Sequence, residues 1–263
     1  MLTIDRVRGA IFDVDETLLD TGAGSDPVNA LHERARLQAV REAGKRHKIP
    51  ALATLTPEAN LRGFYDAPVH SLEGAVWHIL YTSGVVTAHI LESGNHLLRE
   101  IVARKDELFE DLLRTEGKAF PGAVEFVEWL SRNGIGDRLA IASTAIRRDI
   151  DIFLGTSGLH RHFPEAHKII SKDDVTHAKP HPEAFDKAFL TLGLPESDRP
   201  LVLAFEDNPR GIMAAKGAGL YTCAFTSVYS KEHLAELEVA PDLIADSFDE
   251  FREALQQPLT TAV

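Results

Sequence analysis

The pattern of apolar and polar positions alternates along most of the chain between short apolar runs and longer amphipathic stretches. Apolar residues recur at helical spacing in Pro121–Ser131, Pro182–Leu192 and Asn95–Arg114. Apolar runs closed by polar residues predict strands at Val7–Val14, Arg138–Ala142, His167–Ile170, Leu201–Phe205, Leu220–Phe225 and Leu243–Ala245. Strands that alternate with helices favour an α/β fold with a Rossmann-like parallel sheet. In such sheets ligands bind outside the carboxyl ends of the strands.

One long segment, residues 22–117, breaks the alternation because only helices are predicted there. An N-cap acceptor followed by proline, a helix start signal, occurs at Asp26–Pro27 and again at Thr56–Pro57. We therefore expect an all-helical cap domain over 22–117, inserted after the first strand of a core made of 1–21 and 118–263. The tail after Gln256 is expected to be frayed.

Composition narrows the class of protein. The chain has 263 residues with 28 Lys and Arg against 40 Asp and Glu, a formal net charge of −12, which argues against a nucleic acid partner. No apolar run reaches the length of a membrane span, and the N-terminus lacks a basic-then-apolar signal segment. The only cysteine, Cys223, lies in an apolar run and is interpreted as a buried structural thiol. We expect a cytoplasmic protein, monomeric or homodimeric, without a membrane partner.

Carboxylates stand at the ends of two predicted strands. Asp13 and Asp15 end the first strand, and strand alternation sends both side chains to the same side. Glu206 and Asp207 end a later strand, where the chain turns at Asn208–Pro209. Two acidic strand ends repel each other unless a cation lies between them, and few, hard oxygen ligands point to Mg²⁺.

Two further features can hold an anion. Ser143 and Thr144 directly follow a predicted strand, where a hydroxyl and backbone N–H groups can bind an anionic oxygen. Lys179 precedes Pro180, which favours an extended backbone and a fixed position for the lysine charge. Taken singly, each has a plainer interpretation: an ordinary helix N-cap for the first and a surface lysine for the second.

In this order the four features resemble those of the haloacid dehalogenase superfamily of phosphohydrolases. The resemblance is carried by "AIFDVDETLLDT", by Ser143-Thr144, by "AKPHPEAF" and by "LVLAFEDNPRGIMAAKGAG". The helical insertion looks like the cap of the subgroup that contains phosphoglycolate phosphatase and β-phosphoglucomutase. The resemblance implies an Mg²⁺-dependent phosphatase that hydrolyses a small phosphorylated metabolite through an aspartyl-phosphate intermediate.

The resemblance also implies roles for individual residues. Asp13 would be the nucleophile, and Asp15 the general acid and base, oriented by a hydrogen bond from Thr17. The phosphoryl group would be bound by Ser143, Thr144 and Lys179. The Mg²⁺ ligands would be the Asp13 carboxylate, the Asp15 carbonyl and Asp207, with Glu206 nearby or acting through water. The presence of Asp15 disfavours the dehalogenases and phosphonatases of the superfamily, which lack it.

Some positions depart from the subgroup pattern. Glu16 stands where glycine is usual, and Asn208 replaces a more usual serine or threonine. Specificity in this subgroup depends on the cap, where the resemblance is weakest. The candidate substrate-binding residues there are Lys105, Phe64, Tyr65 and His70. Two alternatives to a phosphatase stay open: a β-phosphoglucomutase-like sugar-phosphate mutase, and a non-catalytic binding protein that keeps the fold.

Overall fold

The structure is a computed structural model that describes residues 2–69, 71–88 and 90–256. The strands are β1 Gly9–Phe12, β2 Leu19–Asp20, β3 Lys118–Ala119, β4 Leu139–Ala142, β5 Ile169–Ile170, β6 Val202–Glu206, β7 Tyr221–Phe225 and β8 Leu243–Ala245. The α-helices are α1 Leu31–Arg46, α2 Pro50–Ala53, α3 Pro57–Tyr65, α4 Leu72–Thr82, α5 His96–Glu116, α6 Ala123–Leu130, α7 Arg147–Ser157, α8 Glu183–Thr191, α9 Pro209–Gly217, α10 Lys231–Ala235 and α11 Phe248–Gln256. Within the described residues, no helix combines the length and the apolar character that crossing a membrane requires. The expectations for His70 and for the tail after Gln256 fall outside the described residues.

Six parallel strands form the core sheet, in the order β5-β4-β1-β6-β7-β8. This confirms the predicted Rossmann-like α/β fold, and each of the six predicted strands contributes one strand to the sheet. The first strand, β1, lies between β4 and β6. The residues that follow these three strands are therefore brought to neighbouring positions at one edge of the sheet. Cys223 is buried in β7, as expected.

Helices cover both faces of this sheet with apolar side chains. Because side chains alternate along β1, Ile11 and Phe12 point to opposite faces. Ile11 belongs to a buried cluster that includes Phe185 of α8. On the other face, Phe12 stacks on Phe205 with ring centroids 4.7 Å apart, and Phe126 of α6 meets Phe205 edge-on at 5.3 Å. With both faces covered, only the ends of the strands are left for polar chemistry.

The chain divides into two compact units, of which one is Thr21–Glu116 and the other contains the chain on either side of it. The short antiparallel pair β2–β3 lies at the two points where the chain passes between the unit that contains the sheet and Thr21–Glu116. In this pair Leu19 faces Ala119 and Asp20 faces Lys118. In the part of Thr21–Glu116 that the structure describes, the regular secondary structure is helical and comprises α1 to α5.

The helix start predicted at Asp26–Pro27 is wrong. Helix α1 begins at Leu31 with Ala30 at the N-cap. Asp26 instead closes a turn, in which its carbonyl and its carboxylate accept from the backbone N–H and the side-chain amide of Asn29, at 3.0 and 2.9 Å. An aspartate side chain can accept hydrogen bonds at a helix N-cap or in a turn, and Asp26 does so in a turn. The second start signal is confirmed, because the Thr56 hydroxyl accepts from Ala59 N at 3.2 Å at the start of α3.

Candidate active site

Three buried carboxylates converge at the carboxyl ends of β1 and β6. Asp13 follows β1, Glu206 ends β6, and Asp207 comes next. One oxygen of each lies within 4.8 Å of the others. The backbone N–H of Asp13 donates to the Phe205 carbonyl at 3.0 Å, so strand pairing itself holds the first carboxylate beside the other two.

Lys179 is the cation of this cluster. Its Nζ donates to Asp13 Oδ1 at 2.5 Å, to Glu206 Oε1 at 2.5 Å and to the carbonyl of Ala142, at the end of β4, at 2.9 Å. The side chain is buried, which excludes the interpretation as a surface lysine. One lysine is thereby tied to the ends of β1, β4 and β6.

The charges in this cluster do not balance. The pKa of Asp13 is raised to about 8, chiefly by burial; Lys179 opposes this shift, and the nearby Glu206 carboxylate adds to it. The pKa of Asp207 is also raised, first by burial and then by the neighbouring carboxylates. Burial lowers the pKa of Lys179, but the Asp13 and Glu206 carboxylates outweigh it and raise the pKa overall. Three carboxylates around one ammonium leave an excess of negative charge, and their oxygens are the ligands that Mg²⁺ prefers.

The loop after β4 places Ser143 and Thr144 beside the cluster. Ser143 N donates to the Ile170 carbonyl at 2.9 Å, and the Ser143 hydroxyl accepts from Ala145 N at 3.1 Å. Helix α7 begins only at Arg147, with Ile146 as its N-cap, so neither residue caps this helix. Ser143 is buried and Thr144 is exposed.

The turn after β1 carries the remaining residues of the first motif. Asp15 is half-buried, and the Thr17 hydroxyl donates to Asp207 Oδ1 at 3.3 Å. The hydrogen bond from Thr17 to Asp15 stays a prediction. The hydrogen bond given above joins Thr17 instead to Asp207, which directly follows β6. Between Asp15 and Thr17, Glu16 has a φ of 58°, in the left-handed region that glycine adopts most easily. This backbone conformation accounts for the glycine that is usual at this position.

Sequence reasoning missed two residues of α9. Arg210 donates from Nε at 3.1 Å and from an Nη at 2.6 Å to the backbone carbonyl of Lys179. Gly211 leaves room for a side chain of the cluster, because a Cβ at this position would lie 2.0 Å from the carboxyl carbon of Glu206. The small residues Gly211, Ala214, Ala215 and Gly217 indicate a helix that packs closely on the sheet, but they do not indicate which side chain Gly211 makes room for. No local pattern marks Arg210, which bonds to a residue 31 positions away.

The helical unit contains the four cap candidates. Lys105 is buried, with its Nζ 3.3 Å from Asp106 Oδ1 and 4.4 Å from the ring centroid of Phe109. Phe64 and Tyr65, at the end of α3, meet edge-to-face at 5.7 Å, and Tyr65 is 56% exposed. These contacts give Lys105 an aromatic neighbour, and they leave the ring of Tyr65 accessible. The fourth candidate, His70, lies outside the described residues.

A buried polar network in the same unit was not predicted. Arg36 donates from Nε to Asn60 Oδ1 at 3.1 Å and bonds to Glu33, while Asn60 Nδ2 donates to Glu33 Oε2 at 2.9 Å. Burial raises the pKa of Glu33 and lowers that of Arg36, and each partner opposes the shift of the other. The available signal was a pair of opposite charges three residues apart among the apolar positions of α1.

Comparison with known proteins relates the chain to a family of hydrolases. The sequence pattern of the haloacid dehalogenase-like hydrolases matches residues 7–219. Over 139 residues the chain is 31% identical to pyrophosphatase PpaX of Anoxybacillus flavithermus, a match that spans 52% of this chain and 60% of that protein. Over 71 residues it is 39% identical to validoxylamine A 7'-phosphate phosphatase of Streptomyces hygroscopicus subsp. limoneus, spanning 27% of this chain and 32% of that protein. The chain thus aligns with less than two thirds of each of these relatives.

Among solved structures, a HAD hydrolase of family IA, variant 3, from Entamoeba histolytica superposes with a TM-score of 0.70. The superposition covers 95% of this chain and 100% of that one at 21% identity. At this identity the likeness is one of fold, and it extends over nearly the whole chain.

Proposed function

Because the chain belongs to the haloacid dehalogenase-like hydrolase family, we propose that it is an Mg²⁺-dependent phosphatase of a small phosphorylated metabolite. The observation that carries the proposal is the buried cluster of one lysine and three carboxylates. Lys179 Nζ donates to Asp13 and Glu206, and one oxygen each of Asp13, Glu206 and Asp207 lies within 4.8 Å of the others. An anionic nucleophile can approach an anionic phosphate only where positive charge compensates both. The names of the two relatives, a pyrophosphatase and a phosphatase of validoxylamine A 7'-phosphate, support hydrolysis of a phosphate compound as the class of reaction.

In the proposed reaction an Asp13 oxygen attacks the phosphorus in line, and the bond from phosphorus to the ester oxygen breaks. Asp15 gives its proton to the leaving oxygen, which departs as an alcohol. Asp15 then takes a proton from a water molecule that attacks the aspartyl-phosphate, which releases phosphate and restores the Asp13 carboxylate. Asp15 is half-buried and lies two residues after Asp13, which supports this role.

The residues present fit a magnesium ion, because buried oxygen ligands with excess negative charge converge at one place. Asp13, the backbone carbonyl of Asp15 and Asp207 would hold the ion, which would supply charge neutralisation for the phosphoryl oxygens. Glu206 is assigned a different role, since its Oε1 accepts from Lys179 and so fixes the lysine beside Asp13. The Ser143 hydroxyl and the Thr144 backbone N–H would bind the phosphoryl oxygens.

The test is phosphate release from a panel of sugar phosphates, phosphoglycolate, nucleotides and cofactor phosphates, with Mg²⁺ and with chelator. We expect the wild type to release phosphate from at least one compound only when Mg²⁺ is present. Asp13→Asn should lower the rate by about a thousandfold or more, because the nucleophile is lost. Asp249→Asn, which changes an exposed carboxylate paired with Arg252, is the matched control and should keep the wild-type rate.

Three outcomes would contradict the proposal. The first is a wild type that releases no phosphate and does not bind beryllofluoride, an analogue of the phosphoryl group. The second is conversion of a sugar 1-phosphate to the 6-phosphate, primed by a bisphosphate and without phosphate release, which is the behaviour of a mutase. The third is an Asp13→Asn variant as active as the Asp249→Asn control.

A further inference from the structure

A second group of metal-ligating side chains lies on the loop that carries Lys179. His177 and His181 flank the lysine, and Glu183 is the first residue of α8. One nitrogen of each ring and one carboxylate oxygen all lie within 4.8 Å of one another. The proposed phosphatase chemistry uses none of the three.

Contacts within the loop hold these side chains together. The two imidazole rings stack with centroids 4.5 Å apart. Glu183 Oε2 accepts from His177 N at 2.8 Å and lies 3.0 Å from His177 Nδ1, while Glu183 N donates to His181 Nδ1 at 3.2 Å. Both histidines are exposed, so an ion has open access from solvent and room for water ligands.

We propose that His177, His181 and Glu183 form a second metal site, for a cation of the Zn²⁺ class. Two imidazoles and one carboxylate form the donor set of zinc sites that keep an open position. The acidic cluster around Asp13 offers only oxygen and suits a hard ion such as Mg²⁺, whereas imidazole favours later transition metals. The two groups therefore differ in the metal that they select.

Binding at this site competes with contacts that Glu183 already makes. Its Oε1 accepts from Lys187 Nζ at 2.6 Å and from Thr176 N at 3.0 Å. Coordination through Oε2 and His177 Nδ1 replaces the hydrogen bond between them, with the ring proton carried on Nε2 instead. The Lys187 charge opposes a cation at the same carboxylate. Removal of that charge should consequently strengthen metal binding.

The experiment is a titration of the full chain with Zn²⁺ in excess Mg²⁺, against a competing chromophoric chelator. We expect one Zn²⁺ per chain in the wild type and in Asp207→Asn, which alters the acidic cluster. His177→Ala and His181→Ala should each weaken binding by about tenfold or more. His167→Ala is the matched control, since it removes an exposed imidazole 3.6 Å from the Glu165 carboxylate and should leave the affinity unchanged.

Lys187→Gln keeps the proposal falsifiable if an alanine variant folds poorly, because a gain in affinity does not arise from misfolding. We expect this variant to bind Zn²⁺ about tenfold more tightly, since a unit charge in contact with the ligand is removed. Equal affinity in the wild type, His177→Ala and His181→Ala would overturn the proposal, as would weaker binding in Lys187→Gln. The readout is metal binding, so the result does not depend on whether the protein releases phosphate.

Discussion

Glu16 holds a left-handed backbone, with a φ of 58°, in the turn between the two aspartates of the first motif. A side chain in this conformation brings its Cβ close to the following carbonyl, which costs about 1–2 kcal/mol relative to right-handed regions. The residue is also buried, and its charge contributes to the raised pKa of Asp207. Both the backbone and the charge of Glu16 therefore act on the acidic cluster.

Replacement of Glu16 separates the two effects. Glu16→Gly and Glu16→Ala both remove the carboxylate, but only glycine removes the Cβ. We expect Glu16→Gly to be more stable than Glu16→Ala by about 1 kcal/mol in the free energy of unfolding, measured by urea denaturation. Equal stability of the two variants would mean that the turn is not strained at this position.

Arg210 links the Lys179 loop to α9 through two hydrogen bonds to one carbonyl. Loss of the Arg210 side chain releases the backbone carbonyl of Lys179, whereas Asp13 and Glu206 remain as partners of Lys179 Nζ. We expect Arg210→Ala to lower kcat by about tenfold, equivalent to ~1.4 kcal/mol, with a smaller change in KM. Arg210→Lys should restore part of the rate, because one donor remains.

A matched control and an independent measurement test this role. Arg147 begins α7 and likewise donates to a loop carbonyl, that of Ala166 at 3.0 Å, so Arg147→Ala removes a similar contact elsewhere. Chemical acetylation of Lys179, followed by peptide mass spectrometry, should be faster in Arg210→Ala than in the wild type or in Arg147→Ala. Unchanged labelling in Arg210→Ala would contradict a positioning role even if the enzyme were inactive for other reasons.

Helix α9 approaches the acidic cluster closely because its third residue has no side chain. At Gly211 a Cβ would lie 2.0 to 2.1 Å from three atoms of the Glu206 carboxyl group, well inside contact distance. Glu206 is in turn one of the two carboxylates bonded to Lys179. The packing of a helix against the sheet and the position of the lysine are thus coupled through one glycine.

Gly211→Ala should displace Glu206 and with it Lys179. We expect the free energy of unfolding to fall by about 1–3 kcal/mol from overpacking, together with a loss of most phosphatase activity. Gly155→Ala, in α7, is the matched control because a Cβ there meets no atom within 4 Å. That variant should gain about 0.5–1 kcal/mol in stability from helix propensity and keep its activity. A Gly211→Ala variant as active as Gly155→Ala would contradict the coupling.

At the scale of the whole molecule, the excess of carboxylates at the sheet edge makes stability depend on pH and on metal. The pKa of Asp13 is raised from its ordinary value of 3.8 to about 8, so the folded state binds more protons than the unfolded state between these pH values. Stability of the metal-free protein therefore falls as pH rises through this window. A divalent ion that replaces the protons removes this loss.

We accordingly expect Mg²⁺ to raise the melting temperature more at about pH 8 than at about pH 6, compared with chelator at each pH. Thermal unfolding followed by circular dichroism measures the difference. Asp207→Asn removes one carboxylate and should reduce both the pH dependence and the effect of Mg²⁺. A stabilisation by Mg²⁺ that is equal at both pH values would argue against binding at the cluster.

The sequence by itself determined the fold class and the residues at the strand ends. Apolar periodicity reports which residues each strand and helix buries, so the six strands could be predicted from local patterns. The same patterns singled out Asp13 and Asp207, since polar residues at the ends of buried strands are conspicuous, whereas Lys179 was marked by the proline that follows it.

Only the tertiary structure decided which of these residues touch. Lys179 Nζ reaches Asp13, 166 positions away in the chain, because β1 lies between β4 and β6 in the sheet. The contacts of Arg210 with the Lys179 carbonyl, and of Gly211 with Glu206, depend on the seating of α9 against that sheet. The buried Glu33–Arg36 pair was likewise decided by packing, because its charges could also be solvated on an exposed helix face. Contacts between elements follow from strand order and packing, and periodicity within one element carries no information about either.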